Sequence, residues 1–333
     1  MKAFVTGSTG LLGNNLVRQL LAEGHEVIGL TRSAEKFERM LGDTAAIRVV
    51  GDIEDIDGFA EHLTGCDVVF HTAAYFREYY GKGDHLAKLE AINVTATLEL
   101  MAASDARGRK TFIHTSSAGT IGKHENGEPG DEETPPSPKQ LRNLYFKSKV
   151  DGDAKIRAYQ PPNGMAVIQI LPGWMWGPGD AGPTGAGQIV FDFLDGKVPA
   201  VPDGGSTLVD ARDVAAAMVR AVGKPHGERF IVGGRYHSLR EVVDLIARET
   251  GKPAPKGNLP SWLAIGYAYM SEVWASLTGG RAAANLAGVR TMSEKHNVSS
   301  AKAERELSAS FRPLGDTIHD AIAWYEQHDM LPQ

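Results

Sequence analysis

Tyr145 and Lys149 stand four residues apart in the stretch LYFKSKVDG. On a helix that step puts both side chains on one face, so the Lys149 ammonium can lie beside the Tyr145 phenol. A free tyrosine titrates near ~10, and an adjacent positive charge favours the phenolate, which brings the hydroxyl toward the working range of a general acid or base. The pair alone is a weak signal in a chain with nine tyrosines. Two upstream stretches give it meaning: the glycine-rich TGSTGLLG at 6–13 and the serine pair Ser116-Ser117 in HTSSAG. A turn that cradles phosphate, a hydroxyl that steadies an oxygen and an acidified phenol together make the chemistry of hydride transfer at a carbonyl carbon.

These groups need a scaffold, and the first 170 residues read as one. Short apolar runs alternate with helical patterns: AFVT then 11–23, EVIGLT then 33–41, IRVV then 55–63, followed by DVVFH, TFIHT and AVIQIL. The runs are nearly continuous in apolar residues, as expected of parallel strands buried on both faces. The fold class expected from these runs is α/β, a parallel sheet covered on both faces. Residues 1–172 are expected to form a dinucleotide-binding Rossmann-type domain. Residues 173–333 read as a smaller C-terminal α/β substrate-binding region, with some segments returning to the first domain. Glycine and proline crowd 177–187, and helices are expected at 211–222 and 239–250.

Gly7, Gly10 and Gly13 follow the first strand and open an amphipathic helix. In that context glycines permit a tight turn and close approach of backbone to a pyrophosphate, met by N–H groups at the helix start. Thr9, Leu11 and Leu12 complete the candidate phosphate contacts. The second strand ends in Leu30-Thr31-Arg32, where an acid would accept the ribose hydroxyls of NAD. Arg32 instead offers a fork of donors suited to a 2′-phosphate, which points to NADP(H) over NAD(H); a solvated surface arginine is the alternative. Asp52 and Ile53 are placed at the adenine, with local capping ahead of Asp55 as the other reading of Asp52. Thr72, Ala73 and Ala74 end the fourth strand with small residues that let a cofactor lie close, while His71 is equally a packed strand-end residue. Thr115, Ser116, Pro172 and Gly173 end the next strands and are further candidate cofactor contacts.

In order along the chain, TGSTGLLG, GDI, HTAA, Asn93 in INVTAT, TSSA, YFKSK, LPGWMWGPGD and DARDVA resemble the extended short-chain dehydrogenase/reductase superfamily of the NAD-dependent epimerase/dehydratase type. Within it, Arg32 and HTSSAGTIG resemble dihydroflavonol reductase-like enzymes, and PTGAGQIVFDFLDGKVPA with the C-terminal half resembles the hopanoid-associated sugar epimerase-like group. The resemblance implies a Rossmann-type doubly wound parallel sheet with a small C-terminal substrate region, and a bound nicotinamide cofactor. It implies that Tyr145 exchanges the substrate proton, that Lys149 lowers its pKa and holds the nicotinamide ribose, and that Ser117, with Ser116 as rival, hydrogen-bonds the substrate oxygen. Asn93 would order a water relay to Lys149, an ordinary helix asparagine being the alternative. Homodimers through helices near 86–104 and 137–159 are also implied.

Many members of this family clamp a sugar diphosphate with an arginine shortly before the stretch that is LVDARDVA here. Ser206 or Thr207 occupies that place, unless Arg212 serves. Tyr75, Phe76, Tyr79 and Tyr80 follow the fourth strand and Trp174 and Trp176 the sixth, at the sheet edge where ligands bind. Two or three of the six are expected to touch substrate, and Tyr75, Trp174 and Trp176 are the named candidates. The favoured reading is an NADP(H)-dependent oxidoreductase that reduces a ketone, or oxidises the alcohol, on a hydrophobic or ring-bearing small molecule. A sugar epimerase or dehydratase with tightly held cofactor comes second, and a non-catalytic NADP(H)-sensing protein third.

Composition sets the outer bounds. In 333 residues, 42% apolar and 23% charged content is ordinary for a globular enzyme, and a net charge of −6 argues against a nucleic-acid partner. The single cysteine, Cys66, has no internal partner, histidines lack ligand spacing, so no metal site is expected, and the absence of an export signal makes cytoplasm the default. The aromatic-rich segment 259–277 is too short and interrupted to span a bilayer. It reads as a buried or lid helix, with a membrane-surface helix as the alternative.

Overall fold

A computed structural model of the chain describes residues 1–76, 85–278, 286–293 and 295–332. In the first half the elements are β1 (Lys2–Thr6), α1 (Leu11–Ala22), β2 (Glu26–Thr31), α2 (Ala34–Leu41), β3 (Ile47–Val50), β4 (Val68–His71), α3 (Leu86–Glu90), α4 (Ala96–Ala106), β5 (Thr111–Thr115), α5 (Leu144–Ala158) and β6 (Ala166–Pro172). A π-helical turn, Ala91–Thr95, joins α3 to α4. The second half contains β7 (Trp174–Trp176), α6 (Gly185–Leu194), β8 (Ala200–Pro202), β9 (Gly205–Asp210), α7 (Ala211–Arg220), β10 (Arg229–Val232), β11 (Arg235–Ser238) and α8 (Leu239–Thr250). It ends with β12 (Gly257–Leu259), α9 (Ser261–Thr278), α10 (Leu286–Ser293), α11 (Ala301–Leu307) and α12 (Leu314–Gln327).

Seven strands pair in the order β10-β6-β5-β4-β1-β2-β3, every pair parallel. Alternate residues feed two cores. Ala3, Val5, Val68, Phe70, Ile113, Ile168 and Ile170 pack beneath α1, α7 and α11, whereas Phe4, Val69, Phe112 and Val167 pack beneath α4 and α5. Because both faces are covered, the strands read as unbroken apolar runs. Strand order reverses between β1 and β4, and their carboxyl ends flank the crevice where ligands bind in such sheets.

The chain returns to this sheet late. β10 adds the last strand beside β6, and α7 lies against α1. Asn14 and Asn15 of α1 donate to the carbonyls of Gly179 and Pro178, at 3.2 and 2.9 Å, and so anchor the glycine-rich stretch after β7. The remaining C-terminal elements form a three-stranded sheet, β11-β9-β7, and the pair β12-β8, around a third core of α6, α8 and α12.

One expected helix is absent. Of 55–63, only Ala60–Leu63 is helical, as a single 3-10 turn. Asp52 and Asp55 carboxylates accept from Glu54 N and Gly58 N, at 3.1 and 3.2 Å, and these local bonds compete with a helical start. No helix among the described residues is long and apolar enough to cross a membrane.

Candidate active site

The site begins at the turn after β1. Gly7 has φ +64, and a Cβ there would lie 2.8 Å from Ala73 N; a Cβ on Gly13 would lie 2.1 Å from the Gly7 carbonyl. Both positions therefore demand glycine. Gly10 caps α1 without any side-chain bond, leaving the first-turn N–H groups open toward the crevice. An uncapped helix start behind a glycine turn suits a pyrophosphate, and this is the observation by which the site fits a dinucleotide. The crevice encloses about 1180 Å³. That exceeds the roughly 300–1,000 Å³ of ordinary small-ligand pockets, leaving space for substrate beside a cofactor.

Gly7, Thr9, Gly10, Leu11, Leu12, Gly13, Arg32, Asp52, Ile53, Thr72, Ala73, Ala74, Thr115, Ser116, Lys149, Pro172 and Gly173 all line this crevice, as do Tyr75, Ser117, Tyr145 and Trp174. Arg32 is exposed at the end of β2 and makes no hydrogen bond or ion pair with the described residues. Lys36, in the first turns of α2, lines the same end. Asp52 faces the crevice while its carboxylate accepts from Glu54 N, so the local-cap reading describes its hydrogen bond. His71 is a packed strand-end residue: its two ring nitrogens lie 2.8 and 3.0 Å from the hydroxyls of Thr6 and Thr97.

The start of α5 positions Tyr145. The Asn143 side chain accepts from Tyr145 N and Phe146 N, at 3.0 and 3.2 Å, and fixes Tyr145 in the first turn. Its ring packs at 4.7 Å from that of Phe76 and 5.6 Å from that of Phe146. One turn on, Lys149 is buried and donates to the Thr115 carbonyl at 3.1 Å. Burial pushes its pKa down to about 8, with Asp153 opposing the fall. The imidazoles beside it remain neutral: burial, reinforced by the Lys149 charge, drives His71 down to about 3 and His114 well below its ordinary value.

Ser116 and Ser117 part company. The Ser116 hydroxyl donates to Asp153 at 2.7 Å and is buried. Ser117 Oγ accepts from Gly119 N at 3.1 Å, which leaves its proton available to a ligand in the crevice. Asn93 does not line the crevice. Its side chain accepts from Tyr75 N at 2.8 Å and donates to Tyr75 O at 3.0 Å, pinning the loop after β4. Trp176 does not line it either. The two tryptophan rings leave the same side of β7, 5.4 Å apart and edge to face, but Trp176 is buried in the core shared with α6, α8 and α12. It is 2% exposed. Phe76 joins Tyr75 and Trp174 in the lining, whereas Tyr79 and Tyr80 lie outside the described residues.

Asp153 went unremarked in the sequence, although it continues the four-residue step from Tyr145 and Lys149. Beneath the site it accepts from Ser116 and, at 3.1 Å, from Gln169, and Arg229 approaches to 3.6 Å. Burial raises its carboxyl above the ordinary range, against the pull of Ser116 and Arg229. Gln140 was also missed. It lines the crevice and donates to the carbonyls of Ile121 and Gly119, at 2.6 and 3.1 Å, holding the loop that carries Ser117.

At the far end of the crevice Ser206 and Thr207 stand on β9. Arg212 turns away, held by Asp210 and Asp320 at 2.7 Å each. Lys197 is the cation that lines this end among the described residues, and it is paired with Asp195 at 2.7 Å. The remaining wall is largely apolar and includes Ile189, Val198, Val201, Val243, Leu263 and Tyr267.

The chain is similar to a known family and to several known proteins. The NAD dependent epimerase/dehydratase family matches residues 3–233. A Synechocystis protein named "Putative dihydroflavonol 4-reductase" is 30% identical over 332 residues, covering 98% of this chain and 94% of its own length. Sterol demethylase protein B of Methylococcus capsulatus is 28% identical over 99% of this chain and 100% of its own. The crystal structure of gox2253 superimposes with a TM-score of 0.82 at 30% identity, covering 99% of each chain. With the family matched across both β1 and β10, the chain belongs to the NAD-dependent epimerase/dehydratase family of extended short-chain dehydrogenases/reductases.

Proposed function

We propose that this protein is an NADP(H)-dependent oxidoreductase that reduces a ketone, or oxidises the corresponding secondary alcohol, on a hydrophobic ring-bearing molecule. The observation that carries the reading is the character of the substrate end. Its walls are largely apolar, its one described lining cation is already paired, and hydroxyls of Ser206 and Thr207 stand where a diphosphate would need a charge-assisted fork. A buried diphosphate without such partners costs too much desolvation. The relatives named for dihydroflavonol and sterol chemistry support a polycyclic substrate.

When bound, the cofactor supplies or accepts the hydride at the substrate carbon. The α1 start and the Gly7 turn would hold its pyrophosphate, Arg32 and Lys36 its 2′-phosphate, and Lys149 its nicotinamide ribose. Tyr145 gives its hydroxyl proton to the substrate oxygen during reduction, and Ser117 donates a hydrogen bond to the same oxygen as charge develops there. Lys149, held by the Thr115 carbonyl, stands one helical turn from Tyr145 on the same face, where its charge favours the phenolate. Phe76 and Phe146 shield the phenol from water. Ser116 and Asp153 support Lys149 from below and act through it.

The purified protein, offered NADPH with a panel of steroid and aryl ketones and separately with UDP-glucose, should consume NADPH with the ring ketones alone. Conversion of the nucleotide sugar without net cofactor consumption would instead identify an epimerase. For the cofactor, Arg32→Ala should raise KM for NADPH about tenfold to a hundredfold through loss of a charge-assisted contact, with KM for NADH within about twofold of its starting value. Equal changes for both cofactors would remove the case for a 2′-phosphate contact.

A further inference from the structure

Helix α9 is built inside out. Projected at 3.6 residues per turn, Trp262, Leu263, Tyr267, Tyr269, Met270 and Trp274 fall on one arc and Ala264, Ala268 and Ala275 on the opposite one. A surface helix ordinarily buries its large apolar side chains and exposes small or charged ones. Here the alanines are 0–4% exposed, while Trp262, Tyr269, Met270 and Trp274 are 57–72% exposed. The helix carries one charged residue, Glu272, and its carboxylate accepts from Leu286 N of α10 at 2.8 Å. The outward arc therefore offers water a contiguous apolar surface whose polar points are indole N–H and phenol O–H groups.

One edge of the arc borders the crevice, where Ala264 from the buried side joins the lining. Leu263 and Tyr267, both exposed at 40% and 57%, also line the substrate end, so outer patch and inner wall form one continuous surface. We propose that α9 seats the protein on the surface of a lipid bilayer, with the mouth of the crevice facing the acyl chains so that a lipid-soluble substrate enters without crossing water. Two features select this occupant. Tryptophan and tyrosine are the side chains that concentrate at the membrane–water interface, where an apolar ring and a polar tip are both satisfied. A protein seated on the arc, a second copy included, would cover Leu263 and Tyr267 and obstruct the mouth. The docking is apolar rather than electrostatic, because α9 has no lysine or arginine and the chain carries a net charge of −6. That substrate comes from the bilayer rests on the hydrophobic substrate proposed above; the docking itself does not.

The test is flotation of the full chain with phosphatidylcholine vesicles at 0.1 and 0.5 M salt, beside light scattering without lipid. The wild type should float at both salt concentrations, and Trp262→Gln combined with Met270→Gln should lower the floating fraction at least tenfold. Both substitutions place good helix formers at exposed positions that do not line the crevice, so turnover of a water-soluble ketone and the melting temperature should be unchanged. Turnover of a ketone embedded in the vesicles should fall with flotation. Wild-type protein that stays at the bottom of the gradient, or a variant that floats equally well, overturns the proposal. So does a wild-type dimer that the double substitution converts to monomer, because a second copy then covers the arc. Flotation without turnover of either ketone leaves the docking standing and overturns the functional reading alone.

Discussion

Tyr145→Phe is expected to lower turnover by about 10²–10⁴-fold, the usual contribution of a positioned general acid, while the affinity for NADPH stays within about twofold. The substitution removes one oxygen and leaves the ring, whose packing against Phe76 and Phe146 fixes its place at the start of α5. The Asn143 cap acts on backbone N–H groups and is untouched. Lys149 keeps its bond to the Thr115 carbonyl, so the ribose end of the cofactor pocket should survive. Cofactor affinity from fluorescence titration, set beside steady-state turnover, separates the two effects. Turnover that persists in the variant would move the proton donor elsewhere; lost cofactor affinity would make Tyr145 a binding residue instead. Ser117→Ala should act in the same direction and more weakly, since it removes one hydrogen bond to the developing charge while Tyr145 remains.

The sheet was legible from sequence because β1, β4, β5 and β6 send apolar residues into cores on both faces, and such strands read as nearly continuous apolar runs. The glycine turn was legible because φ +64 at Gly7 and the crowding at Gly13 admit no side chain. Where two carbonyl-proximal hydroxyls competed, spacing could not choose. Ser116 and Ser117 are adjacent, and only the arrival of Asp153 from another element commits one of them. Asp153 escaped notice for a related reason. A carboxylate on a helix of mixed polarity reads as a solvated residue until Gln169 and Arg229, distant in sequence, close over it. The segment 55–63 shows the opposite failure. Its apolar spacing suits a helix, but aspartates that bond their own backbone win over that spacing. Trp176 shares its strand side with Trp174, and alternation alone could not show that Trp176 joins the core shared with α6, α8 and α12.

Lys149→Met should remove activity and yet make the protein more stable at neutral pH. The ammonium sits 2% exposed among neutral His71 and His114, the Thr115 carbonyl and the Asp153 carboxylate, whose charge Arg229 also shares. Burial outweighs Asp153, and the lysine pKa falls to about 8 against ~10.4 in an unfolded chain. Between those values the unfolded chain binds more protons than the native one, so native stability rises with pH across that window. Below pH 8 the penalty is full and amounts to roughly 3 kcal/mol. Methionine occupies similar space without charge, and after loss of the Thr115 bond a net gain of about 1–3 kcal/mol remains. Urea midpoints of the two proteins should therefore differ most at pH 6–7 and converge as pH approaches 10. Turnover of the variant should fall by about 10²–10⁴-fold, because the phenol loses the charge one helical turn away. Equal midpoints at pH 7 would mean that the ammonium is hydrated in the native state, and the burial that brings Lys149 toward neutrality would no longer explain how the phenol is tuned. Stability gained where activity is lost would mark Lys149 as a group kept against folding for the sake of proton transfer.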